Sequence, residues 1–292
     1  MKISKTVLTK PVLLAVFLLA YIGVIAAGLS VGNNRQQDAV PSGRRQFLSM
    51  TAAIAFSARF PKAKYAAAKD NLQSTQQEEL VFVGCGCFWH LQHICALFER
   101  EMLGRTGNTL TCQAGYAGGK PSSRLCYHNT EHIQDYADMG HTEVVQVSLP
   151  TSGVVDFVDQ LYFSQAFDPI TKDRRDPMDK GPEYRNAIGL VGGMYHPLYP
   201  QIAKVAKQNG YRLTRGRGCD PDTLGRREVY VYDSSIFSFH QAEIYHQFHN
   251  DFQSLAYGPK YNNLANRALA DGRLHRIDCP DRITEFVPAP PP

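Results

Sequence analysis

The sequence predicts an α+β fold, a two-layer arrangement in which a mixed sheet is covered by helices, followed by a long irregular C-terminal segment. Three observations lead to it. From Leu80 onward, segments with strand character alternate with segments of helical periodicity, which implies a sheet covered by helices. Hydrophobic residues make up 43% of the 292-residue chain, enough to fill a sizeable core. Beyond Asp251 the chain is rich in Asn, Pro and Gly and shows no periodicity, and it ends in a Pro-rich run that reads as a disordered tail over residues 281–292.

The first 70 residues stand apart. They hold ten Lys and Arg against two acids, out of totals of 31 and 27, so the leader is about +8 and the remainder about −4. A mildly acidic body gives no reason to expect nucleic acid as a partner. Lys2, Lys5 and Lys10 precede an apolar run over residues 11–31, long enough for a signal core or a single membrane span. Residues 42–58, with Arg44-Arg45 followed by Phe47-Leu48 and an Ala-rich stretch, resemble a twin-arginine signal. Two signals in series predict a bipartite leader that sends the protein to a plastid and on to the thylakoid lumen. The alternative is a membrane anchor or secretory signal at residues 11–31. Either way the folded domain is expected over residues 71–280.

Within that domain, Leu80–Val83 is a short apolar run of β character that passes through Gly84 and Gly86 into a helix. Leu91, Ile94, Cys95 and Phe98 mark one face of that helix. Glu143–Leu149 reads as a strand, Val154–Phe167 as a helix, Arg185–Gly193 as a strand ending in paired glycines, and His196–Gly210 as a helix with a Gly stop. Arg227–Asp233 reads as a strand and His240–Phe252 as a short helix.

The strand-to-helix junction places the Cys87 thiol at a helix start, where the unpaired N–H groups and the dipole favour a thiolate. Its pKa is therefore expected to fall below that of a free cysteine. Phe88 and Trp89, the single tryptophan, add aromatic surface beside it. Glu143 ends a loop and starts a strand, where burial would keep its carboxyl protonated as a general acid requires. Asp179 and Tyr184 lie five residues apart in a polar loop and are able to converge on a small polar group. The seven cysteines are odd in number and irregular in spacing, so no disulfide scaffold is expected. The chain lacks paired C-x-x-C motifs, and Glu243-x-x-His246 lacks the second copy that a di-iron site needs, so no metal is expected.

Five motifs occur in order: Gly86-Cys87-Phe88-Trp89, Gly115-Tyr116-Ala117-Gly118-Gly119, Gly140-His141-Thr142-Glu143-Val144-Val145, Asp179-Lys180-Gly181-Pro182-Glu183-Tyr184-Arg185, and Ala242-Glu243 with His246-Gln247. Together, over roughly residues 79–257, they resemble the A-type peptide-methionine sulfoxide reductase family, which reduces the S epimer of methionine sulfoxide. The resemblance implies that Cys87 attacks the sulfoxide sulfur, that Glu143 protonates the oxygen, and that Tyr184 and a second tyrosine hydrogen-bond it. It also implies that Asp179 helps hold this polar group and its water, and that Phe88 and Trp89 wall the S-methyl pocket. It further implies no bound cofactor, a sulfenic acid resolved through a disulfide, thioredoxin as external reductant, oxidised methionine free or in proteins as substrate, and a monomer.

The chain departs from the family pattern in three places. His90 stands where the signature has Gly, and its charge is expected to lower the Cys87 pKa further. The loop to Gly140 is longer than usual, so Tyr127 and Tyr136 both qualify as the second tyrosine. The Gly-rich C-terminal segment with resolving cysteines is absent, which leaves Cys279, then Cys219, then Cys85 as candidate resolving thiols. Two other readings use the same residues: a general thiol peroxidase working through Cys87, and a methionine-sulfoxide binding module without turnover.

Overall fold

The computed structural model describes residues 77–175, 178–251 and 256–280. The leader with its apolar and twin-arginine-like segments, and the Pro-rich tail, lie outside the described residues. Among the described residues no helix is long and apolar enough to cross a membrane.

Seven strands form one mixed sheet, as the α+β reading requires. They are β1 (Glu78–Gly84), β2 (Gln113–Ala117), β3 (Thr142–Pro150), β4 (Ala187–Leu190), β5 (Arg212–Arg215), β6 (Glu228–Asp233) and β7 (His240–Gln241). Their order is β5-β6-β4-β1-β3-β2-β7. β1 runs antiparallel to β3 and β4, β2 antiparallel to β3 and β7, and the β4-β6 and β5-β6 pairs are parallel. Because side chains alternate across a strand, β1 and β3 feed two cores. Val81, Val83, Val145, Val147 and Leu149 face the large core shared with the helices. Phe82 and Val144 face a smaller one with Ala117, Ala187, Tyr230 and Tyr232, flanked by Phe237 and Phe239. The second face is thus closed by loop aromatics rather than by a helix layer.

The helices are α1 (Phe88–Met102), α2 (Val154–Asp156), which continues in π-helical turns through Phe157–Ala166, α3 (Tyr199–Asn209) and α4 (Pro259–Ala270). α1 buries Leu91, Ile94, Cys95 and Phe98, the face that its periodicity predicted. α3 ends at Gly210 in the left-handed conformation, which satisfies the terminal carbonyls of Ala206 and Lys207.

Four local expectations are corrected. The helix expected over His240–Phe252 is instead the short strand β7 and a 3-10 turn at Ile244–His246. Its polar side chains bond across to other elements rather than along a helix. Gln247 Oε1 accepts from the Ala114 N–H at 3.0 Å, Gln247 Nε2 donates to the Ala114 carbonyl at 2.8 Å, and the Phe248 N–H donates to Gln92 Oε1 at 2.5 Å. The segment after Asp251 is not wholly irregular, since it contains α4, which starts on Pro259 and buries Tyr261, Ala265 and Ala268 at helical spacing. The strand expected over Arg185–Gly193 is confined to Ala187–Leu190. Strands β2 and β5 join the sheet although the alternation did not mark them.

Candidate active site

Cys87 is the N-cap of α1, with extended backbone (φ −60°, ψ 125°), directly after β1. The turn between them needs Gly86, whose φ of +68° an L side chain rarely adopts. The Gly86 N–H donates to the Tyr184 carbonyl at 3.1 Å, so the cysteine turn and the Tyr184 turn (Pro182–Tyr184) are hydrogen-bonded to each other. The Phe88 N–H, the first of α1, donates to Glu143 Oε2 at 2.9 Å. The helix start expected to hold a thiolate therefore also holds a carboxyl group.

Glu143 is 2% exposed and sits at the start of β3, opposite Tyr116 of β2. Its other oxygen accepts from Tyr136 Oη at 3.2 Å. Burial pushes its pKa well above the carboxylate range, against the lowering effect of these two donors, and the charges of Asp179 and Glu183 add to the rise. The direction of this shift favours the protonated carboxyl, the form that a general acid requires.

The Cys87 expectation is corrected. Burial raises its thiol well above the usual range, the Glu143 and Asp179 charges add to this, and the Trp89 N–H opposes them. Desolvation of the anion is the largest cause and outweighs the Trp89 N–H that the helix start supplies. His90 does not reverse it. Its Nδ1 lies 3.9 Å from the Asp251 carboxylate, whose charge is another of the causes raising Cys87.

Both candidate second tyrosines are present at the site. Tyr136 is fully buried, bonds Glu143, and is hydrogen-bonded to the Tyr184 side chain. Tyr127 is half-buried, stacks 5.6 Å from Tyr136 and 4.3 Å from His246, and has its pKa raised by burial and then by the charges of Glu143, Tyr184 and Cys87. Asp179 raises the pKa values of Glu143, Cys87, Tyr127 and Tyr184, which places its charge at the same centre. Phe88 and Trp89 are both buried, 6.4 Å apart between ring centroids, and His246 lies 5.3 and 5.8 Å from them. Burial lowers the His246 pKa to about 3, so this ring is a neutral wall among aromatics.

The candidate resolving thiols separate from one another. Cys279 is bonded to Cys126, 153 residues away in sequence, so its sulfur is engaged and the first-ranked expectation is corrected. Cys85 is buried with Sγ 3.5 Å from the Ala166 carbonyl, and burial raises its pKa. Cys219 is an exposed free thiol. Its N–H donates to the Gly118 carbonyl at 2.9 Å and its Sγ lies 3.9 Å from the Met139 carbonyl, beside Gly140.

Sequence reasoning missed the two arginines that hold the site together. Arg174, fully buried, donates to the Tyr184 carbonyl at 2.9 Å, to Asp222 Oδ1 at 2.9 Å, and to the Asp179 carbonyl. Asp222 in turn accepts from the Gly181 N–H at 2.8 Å. Arg185, also fully buried, donates to the carbonyls of Pro182, Gly118 and Gly140 and to Tyr232 Oη. Arg185 belongs to the Asp179–Arg185 motif and was visible there, whereas Arg174 carries no local signal. Glu243, 1% exposed, accepts from Tyr116 Oη at 2.8 Å and from the Tyr127 N–H at 2.6 Å.

No family model matches the chain. It is similar to the peptide methionine sulfoxide reductase MsrA of Thermus thermophilus, 34% identical over 112 residues, which cover 38% of this chain and 55% of that protein. It is likewise similar to the protein of that name in Halobacterium salinarum, 36% identical over 115 residues, covering 38% and 54%. The chain thus spans about half the length of the curated relatives it matches. Solved structures with some likeness are Mxr1 from Saccharomyces cerevisiae in reduced form (22% identity, TM-score 0.36, 60% of this chain and 84% of that one) and methionine sulfoxide reductase A of Corynebacterium diphtheriae (19%, 0.38, 60% and 74%).

Proposed function

We propose that this chain, which belongs to the peptide methionine sulfoxide reductase A family through the matched segment, reduces the S epimer of methionine sulfoxide with Cys87 as nucleophile and Glu143 as acid. One observation carries the reading. A buried carboxyl whose pKa burial raises is bonded to the first N–H after the cysteine, and two tyrosine hydroxyls stand beside it.

A sulfoxide oxygen is a poor leaving group unless it receives a proton. Burial disfavours the charged forms of both Cys87 and Glu143 in the resting site. Cys87 Sγ bonds to the sulfoxide sulfur as Glu143 gives its proton to the oxygen, and the thiol proton restores the carboxyl. The protonated oxygen passes to Cys87 as a sulfenic acid and methionine leaves, so no net proton is consumed. Tyr184, with Tyr136 or Tyr127, donates to the oxygen as its charge grows. Asp179 helps order this polar group, while Phe88 and Trp89 receive the S-methyl. A thiol then condenses with the sulfenic acid, releasing water, and a thioredoxin-type dithiol reduces the resulting disulfide. With Cys279 engaged, Cys219 is our candidate for that thiol, since it is exposed and docked between Gly118 and Gly140.

The test is turnover of the two separated epimers by the purified chain with dithiothreitol. S-epimer reduction abolished by Cys87→Ser supports the proposal. Equal use of both epimers, or peroxide consumption in place of sulfoxide reduction, overturns it. We also propose that the basic leader is removed in a plastid, which mass spectrometry of the mature N-terminus checks.

A further inference from the structure

From the grouping of Cys126, Cys279 and Glu243 we infer a second, redox-gated site: when the disulfide is reduced, these three side chains bind one zinc-type divalent cation. The two sulfurs and a Glu243 carboxylate oxygen all lie within 4.8 Å of one another, and Cys126 and Glu243 are buried. Two thiolates with one carboxylate are a donor set that suits a soft, tetrahedral ion, with water as fourth ligand.

The geometry needs little rearrangement. The two Cα atoms are 5.7 Å apart. Tetrahedral zinc with thiolate bonds of about 2.3 Å places two sulfurs about 3.8 Å apart, a separation reached by side-chain rotation once the S–S bond is gone. Glu243 is already oriented by the Tyr116 hydroxyl and the Tyr127 N–H, the outer hydrogen bonds that a ligating carboxylate needs. A cavity of about 390 Å³ is lined by Arg124 and Leu125, just before Cys126, and by Ile277 and Asp278, just before Cys279. Reduction without a cation would set two ionisable thiols against a buried carboxylate. A divalent ion offsets two of the three ligand charges, so the two thiolates form without adding net charge beside the carboxylate.

The chemistry balances. A dithiol reductant converts the Cys126–Cys279 disulfide to two thiols and is itself oxidised to a disulfide. One Zn²⁺ then binds as both thiols release their protons to solvent. None of these steps uses Cys87 or its substrate.

The experiment is zinc uptake by the full chain, read by equilibrium dialysis and metal analysis before and after reduction with a phosphine. Cobalt serves as optical probe for thiolate ligation, and circular dichroism checks that each variant is folded. We expect one zinc per reduced chain and none per oxidised chain, uptake retained in Cys87→Ser, and loss in Cys126→Ser and in Cys279→Ser. In Glu243→Gln, which keeps one of the two accepting oxygens and removes the charge, affinity should weaken at least about tenfold. The inference fails if the reduced chain takes up no stoichiometric zinc, if uptake survives in the folded Cys126→Ser/Cys279→Ser double variant, or if it follows Cys87. Metal is read here without turnover, so its failure and that of the reductase proposal are separate outcomes.

Discussion

The main-chain N–H of Phe88 donates to the Glu143 carboxyl at 2.9 Å, joining the residue after the nucleophile to the acid on β3. This bond fixes the distance over which a proton and a sulfur must act together.

Glu143→Gln should lower S-epimer turnover by roughly 10²-fold or more, the usual size of a general-acid contribution. The same change should stabilise the fold at neutral and alkaline pH. The folded-state pKa of Glu143 is raised by burial, so its contribution to stability is fully present only below the unfolded value and is lost as pH rises through the folded one. Gln removes that loss. Thermal melts across pH check it, and a wild type with a higher melting temperature than Glu143→Gln at alkaline pH would contradict the assignment.

Tyr136 and Tyr127 are separable by the alkaline limb of the rate profile. The Tyr136 hydrogen bond lowers the Glu143 pKa against burial. Tyr136→Phe should therefore move the limb to higher pH while reducing kcat by about tenfold or more, whereas Tyr127→Phe should leave the limb in place. A limb unmoved by Tyr136→Phe would show that this bond does not tune the acid.

The Arg174–Asp222 pair should act on stability and rate together. Arg174 is fully buried, and Asp222→Ala leaves its charge without a carboxylate, at a cost of about 3 kcal/mol. Because Arg174 also holds the Tyr184 and Asp179 carbonyls, kcat should fall in the same variant. Denaturant unfolding with steady-state kinetics checks both, and a destabilised variant with wild-type kcat would uncouple the pair from the site.

Cys219→Ser should separate the two halves of the cycle. Turnover with dithiothreitol should persist, since a small dithiol reaches the sulfenic acid directly, while thioredoxin-supported turnover should drop at least tenfold. Equal rates with both reductants would place resolution elsewhere.

Much of the site was legible in the residues. Cys87 at the end of β1, the Leu91–Phe98 face of α1, and Glu143 at the head of β3 all follow from local periodicity and turn chemistry. What was not legible depends on long-range partners. The Cys87 pKa is set first by burial and then by the Glu143 charge, from 56 residues away in sequence, and a local reading of the helix start contains neither. The 240–249 segment reads as helix by spacing, but Gln247 and Phe248 are satisfied by Ala114 and Gln92 instead. The Cys126–Cys279 bond spans 153 residues and lies beyond any spacing rule. Helix α4 was there to be found: Pro259 at a first helical position with Tyr261, Ala265 and Ala268 on one face is a start signal and a stripe.

A single Arg185 nitrogen, Nη2, donates to both Gly118 at 2.8 Å and Gly140 at 3.0 Å. The excursion that leaves one glycine and returns to the other is consequently closed at its neck by one planar cation. Tyr127 and Tyr136 lie within it and tie it to Glu243 and Glu143 as well. Between those tyrosines residues 130–133 are exposed, and added length there costs only slowly growing closure entropy, so lengthening or trimming that tip should change what reaches the pocket rather than what happens inside it.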